Sequence, residues 1–517
     1  MTMSAHTDPA TQLRPNRVEP TVSLLSATGE APALGVAPPP GFADLHLGCA
    51  LEKAGPFQRA VWHRPPAELA TVHYRQAVVT ELRETGFGAL ATRLVDAVTW
   101  ARRSIDAYRS SHYPVPAELQ LAAAIGRFAE AVSEVADGLR QLRPSAAGVR
   151  GLAAYLADYV AGPDFQALAG STVLQRIRRS SLELGIQQGT VWADPDTDRP
   201  GWAEQIEQVF SRFREPGQQI TAEWFRPRRY LNHIEAQAIG LVAGLFPELF
   251  AELHRFVSGR SQFLPAALER LAEELRFYLD FLRLAEELAD RGVAWCLPRL
   301  SAAPDTPFAV RGVVDLALAV GAEAPPVAND LALDAGQQVV FVTGPNQGGK
   351  TTFARSLGQL GYLAGLGLPV PARSASLPWS YPVLTHFPAP DDPEHDRGGL
   401  ADELHRLHQV MTAAGPHALL IFNELFSATS AADALQLSAR VVEQVRRLGC
   451  RVVWVTFLEE LVLGTEGAVS LVGQVAPEDP TRPTFRFRPQ PPGGRSHAVA
   501  LAARHGLSSD DLAERLR

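Results

Sequence analysis

The segment Gly344-Pro-Asn-Gln-Gly-Gly349-Lys350-Thr351 restricts the fold of this chain more than any other. Its spacing, G-x-x-x-x-G-K-[ST], is that of a phosphate-binding loop. Before it stands Gln338-Val-Val-Phe-Val-Thr343, a short apolar run that reads as a buried strand. After it stands Thr352-Phe-Ala-Arg-Ser-Leu-Gly-Gln-Leu-Gly-Tyr-Leu, apolar at helical steps. Strand, glycine turn and helix in that order aim backbone N–H groups and a helix N-terminus at a phosphate chain. Lys and Arg together number 48, and only Lys53 and Lys350 are lysine. The exception is informative, because a loop closing on phosphates takes a compact ammonium and a planar guanidinium substitutes poorly there. The predicted nucleotide contacts are Gly344, Pro345, Asn346, Gln347, Gly348, Gly349, Lys350, Thr351 and Thr352, with the Thr351 hydroxyl on Mg²⁺.

A chain of 517 residues has room for roughly two to four domains with ample core. Hydrophobic residues at 46% and charged residues at 20% are globular values. No run approaches a membrane span and no apolar signal core opens the sequence, so a cytoplasmic protein with no membrane partner is expected. Cys49, Cys296 and Cys450 lie far apart, without metal spacing, and fit a reducing compartment. A net charge of −8 excludes a uniformly basic coat for nucleic acid but leaves room for local basic patches.

Residues 1–40 are rich in Pro, Ala, Thr and Ser and read as a disordered tail. Residues 41–300 read as a mostly helical domain, almost wholly helical from about Phe57 to Leu300. Its clearest stretch is Leu264, Leu268, Leu271, Leu275, Tyr278, Leu282 and Ala285, where the steps alternate four and three as in a heptad seam. Pro298 ends that region, and Ala302-Ala-Pro-Asp-Thr-Pro reads as a linker. Over 301–517 strands and helices alternate. Ala418-Leu-Leu-Ile-Phe422 and Arg451-Val-Val-Trp-Val-Thr456 resemble the run before Gly344, with a predicted helix from Leu435 to Leu448 between them. This predicts an α/β domain with a mainly parallel sheet.

The run ending at Phe422 is followed by Asn423-Glu424. A carboxylate at the end of a strand beside the nucleotide strand suits a group that orients an attacking water, which makes Glu424 the candidate catalytic residue. Asn423 is a candidate Mg²⁺ neighbour whose amide oxygen accepts without adding charge. Glu459 and Glu460 follow the next strand and read as ordinary helix-start acids. Basic clusters occur at Arg102-Arg103, at Arg176 with Arg178 and Arg179, and at Arg226 with Arg228 and Arg229. The last is bracketed by Trp224, Phe225 and Tyr230, an arrangement that can track a phosphate backbone as well as form a solvated helix face.

These residues resemble the MutS-type DNA mismatch repair ATPases. Thr343-Gly-Pro-Asn-Gln-Gly-Gly-Lys-Thr-Thr is similar to that family's phosphate loop, and the likeness continues through Gly365–Ala372, Leu420–Ser430, Asp433 and Thr456–Leu461. His73-Tyr-Arg-Gln-Ala-Val-Val-Thr-Glu-Leu looks like the start of the family's helical core, and Phe277-Tyr278 and Cys296-Leu-Pro298 like its end. The resemblance implies an ABC-type P-loop ATPase domain preceded by a mostly α-helical lever and clamp. It implies ATP and Mg²⁺ as cofactors, homodimerisation through the ATPase domains, and DNA, mismatched, branched or otherwise distorted, as partner. Lys350, Thr351 and Glu424 carry over as phosphate ligand, magnesium ligand and hydrolytic carboxylate. Alternatives are a nucleotide-switched DNA-binding scaffold with little hydrolysis, and another ABC-type chromosome-maintenance ATPase. The latter fits less well, because no clear Leu-Ser-Gly-Gly signature is present.

The chain departs from the pattern at several points. The family's Asp–Glu pair is Asn423-Glu424, its Arg-Gly before Thr-Ser is Ser427-Ala428, and its His after the later threonine is Phe457. The serine that reaches across the dimer aligns with Gly398 when Glu403 is matched. The expected consequence is slow or differently gated hydrolysis. With the helical core starting near residue 57, no mismatch-reading domain is expected. The tripeptides Phe128-Ala-Glu130, Phe213-Arg-Glu215 and Phe246-Pro-Glu248 lie within helical-looking sequence.

Overall fold

The computed structural model describes residues 22–30, 32–51, 54–179, 182–187, 190–195, 239, 242–388 and 399–492. Its first part runs α1 (Pro56–Trp62), α2 (Leu69–Glu84), α3 (Phe87–Ser110), α4 (Pro114–Leu142), α5 (Ala147–Ala161), α6 (Pro163–Ala169) and α7 (Val173–Arg179). A hairpin of β1 (Leu182–Gln187) and β2 (Thr190–Pro195) follows, then α8 (Pro247–Ser258) and α9 (Ala266–Asp290). The second part runs β3 (Arg299–Ser301), β4 (Phe308–Val313), α10 (Leu316–Gly321), β5 (Asn329–Leu333), β6 (Val339–Thr343) and α11 (Lys350–Leu366). It continues with β7 (Ser374–Pro378), β8 (Val383–His386), α12 (Gly399–Ala413), β9 (Leu419–Asn423), α13 (Ala431–Leu448), β10 (Arg451–Val455), α14 (Glu459–Gly464), β11 (Val469–Ala476) and β12 (Asp479–Pro489). The chain divides into two compact units. One takes in the described residues of Met1–Val22, Glu81–Ser145 and Val149–Leu275, the other those of Ser23–Thr80, Ala146–Gly148 and Arg276–Arg517.

The first unit is held by helix faces. In α4, Leu121, Ile125, Phe128, Val132, Val135 and Leu139 recur at alternating steps of four and three, and all are fully buried. That periodicity makes one continuous apolar stripe, which α3 covers. Phe128 therefore belongs to the core. The hairpin breaks the expected run of helix. Leu182-Glu-Leu-Gly-Ile-Gln187 alternates apolar with other residues at every step, which is the period of a strand. β1 and β2 pair antiparallel from Leu182↔Pro195 to Gln187↔Thr190. α9 runs from the first unit into the second after Leu275. Its seam residues Leu268, Leu271, Leu275, Tyr278, Leu282 and Ala285 are buried, whereas Leu264 precedes the helix and is half-buried. Ala272, Phe277 and Phe281 join the face, which is wider than a two-position seam.

The second unit carries a six-stranded sheet in the order β12-β11-β6-β10-β9-β8. Five strands are parallel and β12 is antiparallel at one edge. β6 and β9 are buried along their whole length, as strands with helices on both faces must be. Phe341, Leu420, Phe422, Val452 and Trp454 build the core on one face with Val442 and Val445 of α13 and Leu461 and Val462 of α14. Trp454 sits 5.8 Å from Phe341 and 5.6 Å from Phe422, ring centroid to centroid. The other face receives α11. There Gly358 lets the helix come close, since a Cβ on it would lie 3.0 Å from Ile421 Cγ1 and 2.4 Å from Leu45 Cδ2. A four-stranded sheet, β3-β7-β4-β5, completes the unit; β4 runs antiparallel to both neighbours.

The tail expected over 1–40 lies outside the described residues as far as 21. Around Leu24 and again around Leu45 the chain packs, whereas Leu34 between them is exposed. Leu24, Leu25, Leu45 and Leu47 are buried, and their few apolar side chains are backed by hydrogen bonds to the local backbone. Tyr278 Oη donates to Leu24 O at 2.7 Å, Arg75 Nε to Leu25 O at 2.9 Å and Gln359 Nε2 to Leu45 O at 2.9 Å. Among the described residues no helix is long and apolar enough to cross a membrane.

Candidate functional site

The site is built where β6 stops and α11 begins. Gly344 has φ 132°, and a Cβ there would meet the Gly473 backbone N at 2.9 Å, so only glycine lets β6 turn against β11. Gln347 at φ 59° takes the left-handed conformation that non-glycine residues adopt rarely. Strain of this kind is kept where a surrounding structure dictates it. Gly349, also left-handed, precedes the first residue of α11, Lys350.

Lys350 is only 5% exposed. Its ammonium donates to Pro345 O at 3.0 Å, Gly344 O at 3.2 Å and Asn346 Oδ1 at 3.4 Å. Burial lowers its pKa, and the carboxylate of Glu424 opposes that shift. Thr351 Oγ1 donates to Asn423 Oδ1 at 2.9 Å, joining the start of α11 to the end of β9. The next residue, Glu424, has φ 52°, and its N–H donates to Val455 O of β10 at 2.9 Å. The turn that follows is braced by Glu403 of α12, whose buried carboxylate accepts from Phe426 N at 2.6 Å. Phe457, just past β10, sets its ring 4.8 Å from Lys350 Nζ, centroid to nitrogen. Loop, Glu424 and Phe457 share a cavity of about 700 Å³, within the range of small-molecule sites.

Two tied-down walls close the cavity. Asp315 caps α10 by accepting from Leu318 N at 2.8 Å, and its other oxygen takes Arg355 Nε of α11 at 2.6 Å. Asn329 of β5 clamps β12: Nδ2 donates to Phe485 O at 3.0 Å and Oδ1 accepts from Phe487 N at 2.9 Å. Phe487 stacks on Phe353 of α11, centroids 4.7 Å apart and planes 10° from parallel.

Residues 340–476 match the MutS domain V family model, and this stretch holds the whole of the loop together with Asn423, Glu424 and Phe457. The chain is a diverged MutS-like protein. It is 31% identical over 214 residues to the DNA mismatch repair protein MutS of Granulibacter bethesdensis, covering 40% of this chain and 22% of the relative. To the DNA mismatch repair protein MutS of Lactobacillus delbrueckii subsp. bulgaricus it is 26% identical over 275 residues, 52% of this chain and 31% of the relative. To the Endonuclease MutS2 of Thermus thermophilus it is 30% identical over 188 residues, 36% of this chain and 25% of the relative. The chain thus aligns with between 22% and 31% of the length of these curated relatives.

In this MutS-like chain the structure brings Lys350, Thr351, Asn423 and Glu424 together, and adds Asp315, Asn329, Phe485 and Phe487. Sequence reasoning missed these four. Asp315 carried a readable signal, an acidic residue directly before a short apolar helix. Asn329 and the two phenylalanines carried none, because their partners lie far along the chain. Of the arginines singled out, Arg102 pairs with Glu269 at 2.8 Å and Asp106 at 3.4 Å. Those carboxylates, Glu269 foremost, raise its pKa. Arg176 of α7 pairs with Glu252 of α8. The side chains of Arg178 and Arg179, and all of Arg226, Arg228, Arg229 and Gly398, lie outside the described residues.

Proposed function

We propose that this chain is an ATP-dependent DNA-binding protein that couples nucleotide binding at an ABC-type ATPase head, residues 301–517, to closure of a helical lever and clamp, residues 41–300, on DNA. The observation that carries the reading is the conjunction at one cavity of a buried, three-fold hydrogen-bonded Lys350, the Thr351–Asn423 pair and Glu424. The relatives named as DNA mismatch repair proteins support the choice of DNA, mismatched, branched or otherwise distorted. Arg176, Arg178, Arg179, Arg226, Arg228 and Arg229 are the proposed DNA contacts. Dimerisation through the heads and a cytoplasmic location complete the proposal.

Each residue has a physical role in it. The loop's backbone N–H groups and Lys350 bind the phosphate chain of ATP by charge-assisted hydrogen bonds. Thr351 and Asn423 offer a hydroxyl and an amide oxygen side by side, which fit a hard cation, so these two would hold Mg²⁺. The ion supplies charge neutralisation on the phosphates when bound. Glu424, fixed by its backbone bond to β10, would orient and deprotonate the attacking water. ATP shifts the clamp only by its differential affinity for the closed state.

Titrations of homoduplex, mispaired and four-way-junction DNA, with and without ATP, test the reading. An ATP-dependent change in affinity for at least one DNA is expected; none for any would defeat it. Asn423 and Phe457 favour a second reading, a nucleotide-switched scaffold with little hydrolysis, which single-turnover kinetics of the wild-type chain separate from the first.

A further inference from the structure

We propose that Phe457 determines which nucleotide the site prefers, by covering the face of the Lys350 ammonium that a terminal phosphate must reach. The inference rests on the reading of the loop as a nucleotide site. An ammonium has three N–H donors. Here Gly344 O, Pro345 O and Asn346 Oδ1 give each of them an acceptor inside the loop itself. The Phe457 ring, 4.8 Å away, then takes a further approach with its negative face toward the cation. Lys350 is thus satisfied on all these sides by the protein, and a phosphate oxygen that is to contact Nζ must displace part of this shell.

The loop contacts and the ring differ in what they oppose. The loop acceptors come from the residues that turn around a phosphate chain, so they rearrange for any nucleotide. Phe457 comes from the far wall, beyond β10, and faces the same cavity as Glu424. Its ring donates no hydrogen bond to an anion and is attracted to the bare cation, so it opposes the phosphate nearest Glu424 in particular. That phosphate is present in a triphosphate and missing in a diphosphate. Phe457 is also 52% exposed, which means that it is not needed to fill the core and can be replaced without creating a cavity.

Calorimetric titration of the full chain with Mg·ADP and with a non-hydrolysable Mg·ATP analogue tests this, using wild type, Phe457→Ala and Phe457→Leu. Phe457→Ala should raise the ratio of triphosphate to diphosphate affinity by roughly tenfold, the order expected for a partly desolvated cation–π contact. Phe457→Leu keeps bulk but loses the π face, and should raise the ratio by a smaller factor. A ratio unchanged within about twofold in the alanine variant, or an equal gain for both nucleotides, overturns the proposal while leaving the nucleotide site standing. A wild-type chain that binds neither nucleotide removes the nucleotide reading and this inference with it.

Discussion

The two sides of the cavity are not alike. On the loop side, Gly344 to Thr351 carry the whole motif, with the first glycine at φ 132°, the lysine buried and bonded to the loop's own oxygens, and the threonine in the first turn of α11. On the opposite side, Glu424 after β9 and the Phe457 ring after β10 line the cavity, and Asn423, itself buried, accepts from the Thr351 hydroxyl. In the proposed function, holding a phosphate chain needs geometry and one cation, the part assigned to the loop. Turning it over needs charge and polar groups on the far wall, where Asn423 and Phe457 stand in place of the Asp and His that the resemblance implies. Under the proposed function binding and hydrolysis are therefore separable, and substitutions on the two sides should move different observables.

The largest effect is expected at Glu424. In single-turnover measurements Glu424→Gln should slow hydrolysis by about 10²- to 10⁴-fold with nucleotide affinity nearly unchanged. An unchanged rate would mean that the far wall does no chemistry, leaving the switch reading. Lys350→Ala should do the reverse, weakening nucleotide affinity by about a hundredfold, or about 3 kcal/mol. Intact affinity measured by calorimetry would show that the loop is not the phosphate site. Asn329→Ala strands the Phe485 carbonyl and the Phe487 N–H, and should lower the unfolding free energy of its unit by about 2 kcal/mol in urea titrations. No loss of stability would show that the clamp on β12 is dispensable. Asn423→Asp is the mildest change. By adding a carboxylate beside Thr351 it should lower the Mg²⁺ concentration needed for half-maximal nucleotide binding by roughly threefold to tenfold. A shift in the opposite direction would place the ion elsewhere.

Several elements are legible in the sequence. The runs before Gly344, around Leu420 and around Val453 are apolar throughout their middles, Val339–Val342, Leu419–Phe422 and Val452–Val455, and they form the adjacent parallel strands β6, β9 and β10. The helix expected over Leu435–Leu448 lies within α13, and the seam through Tyr278, apart from Leu264, lies within α9. The hairpin at Leu182–Pro195 was also there to be read in its alternation, but the helical periodicity around it dominated. Leu24 and Leu25 defeated a compositional reading, because two leucines in a Pro- and Ala-rich stretch say nothing about the Tyr278 and Arg75 that hold them.

The sequence alone determined the strand–glycine loop–helix unit, the apolar strands beside it and the side chains proposed to grip a phosphate. These depend on dihedral preferences and on hydrophobic periods of two and 3.6 residues, all of which act between near neighbours. Only the tertiary structure decided that Asn329 would clamp Phe485 and Phe487, that Asp315 would hold Arg355, and that Phe457 would come to lie over Lys350. Those meetings join residues separated by tens to more than a hundred positions. They follow from how sheet and helix faces close on one another, and no local spacing records that.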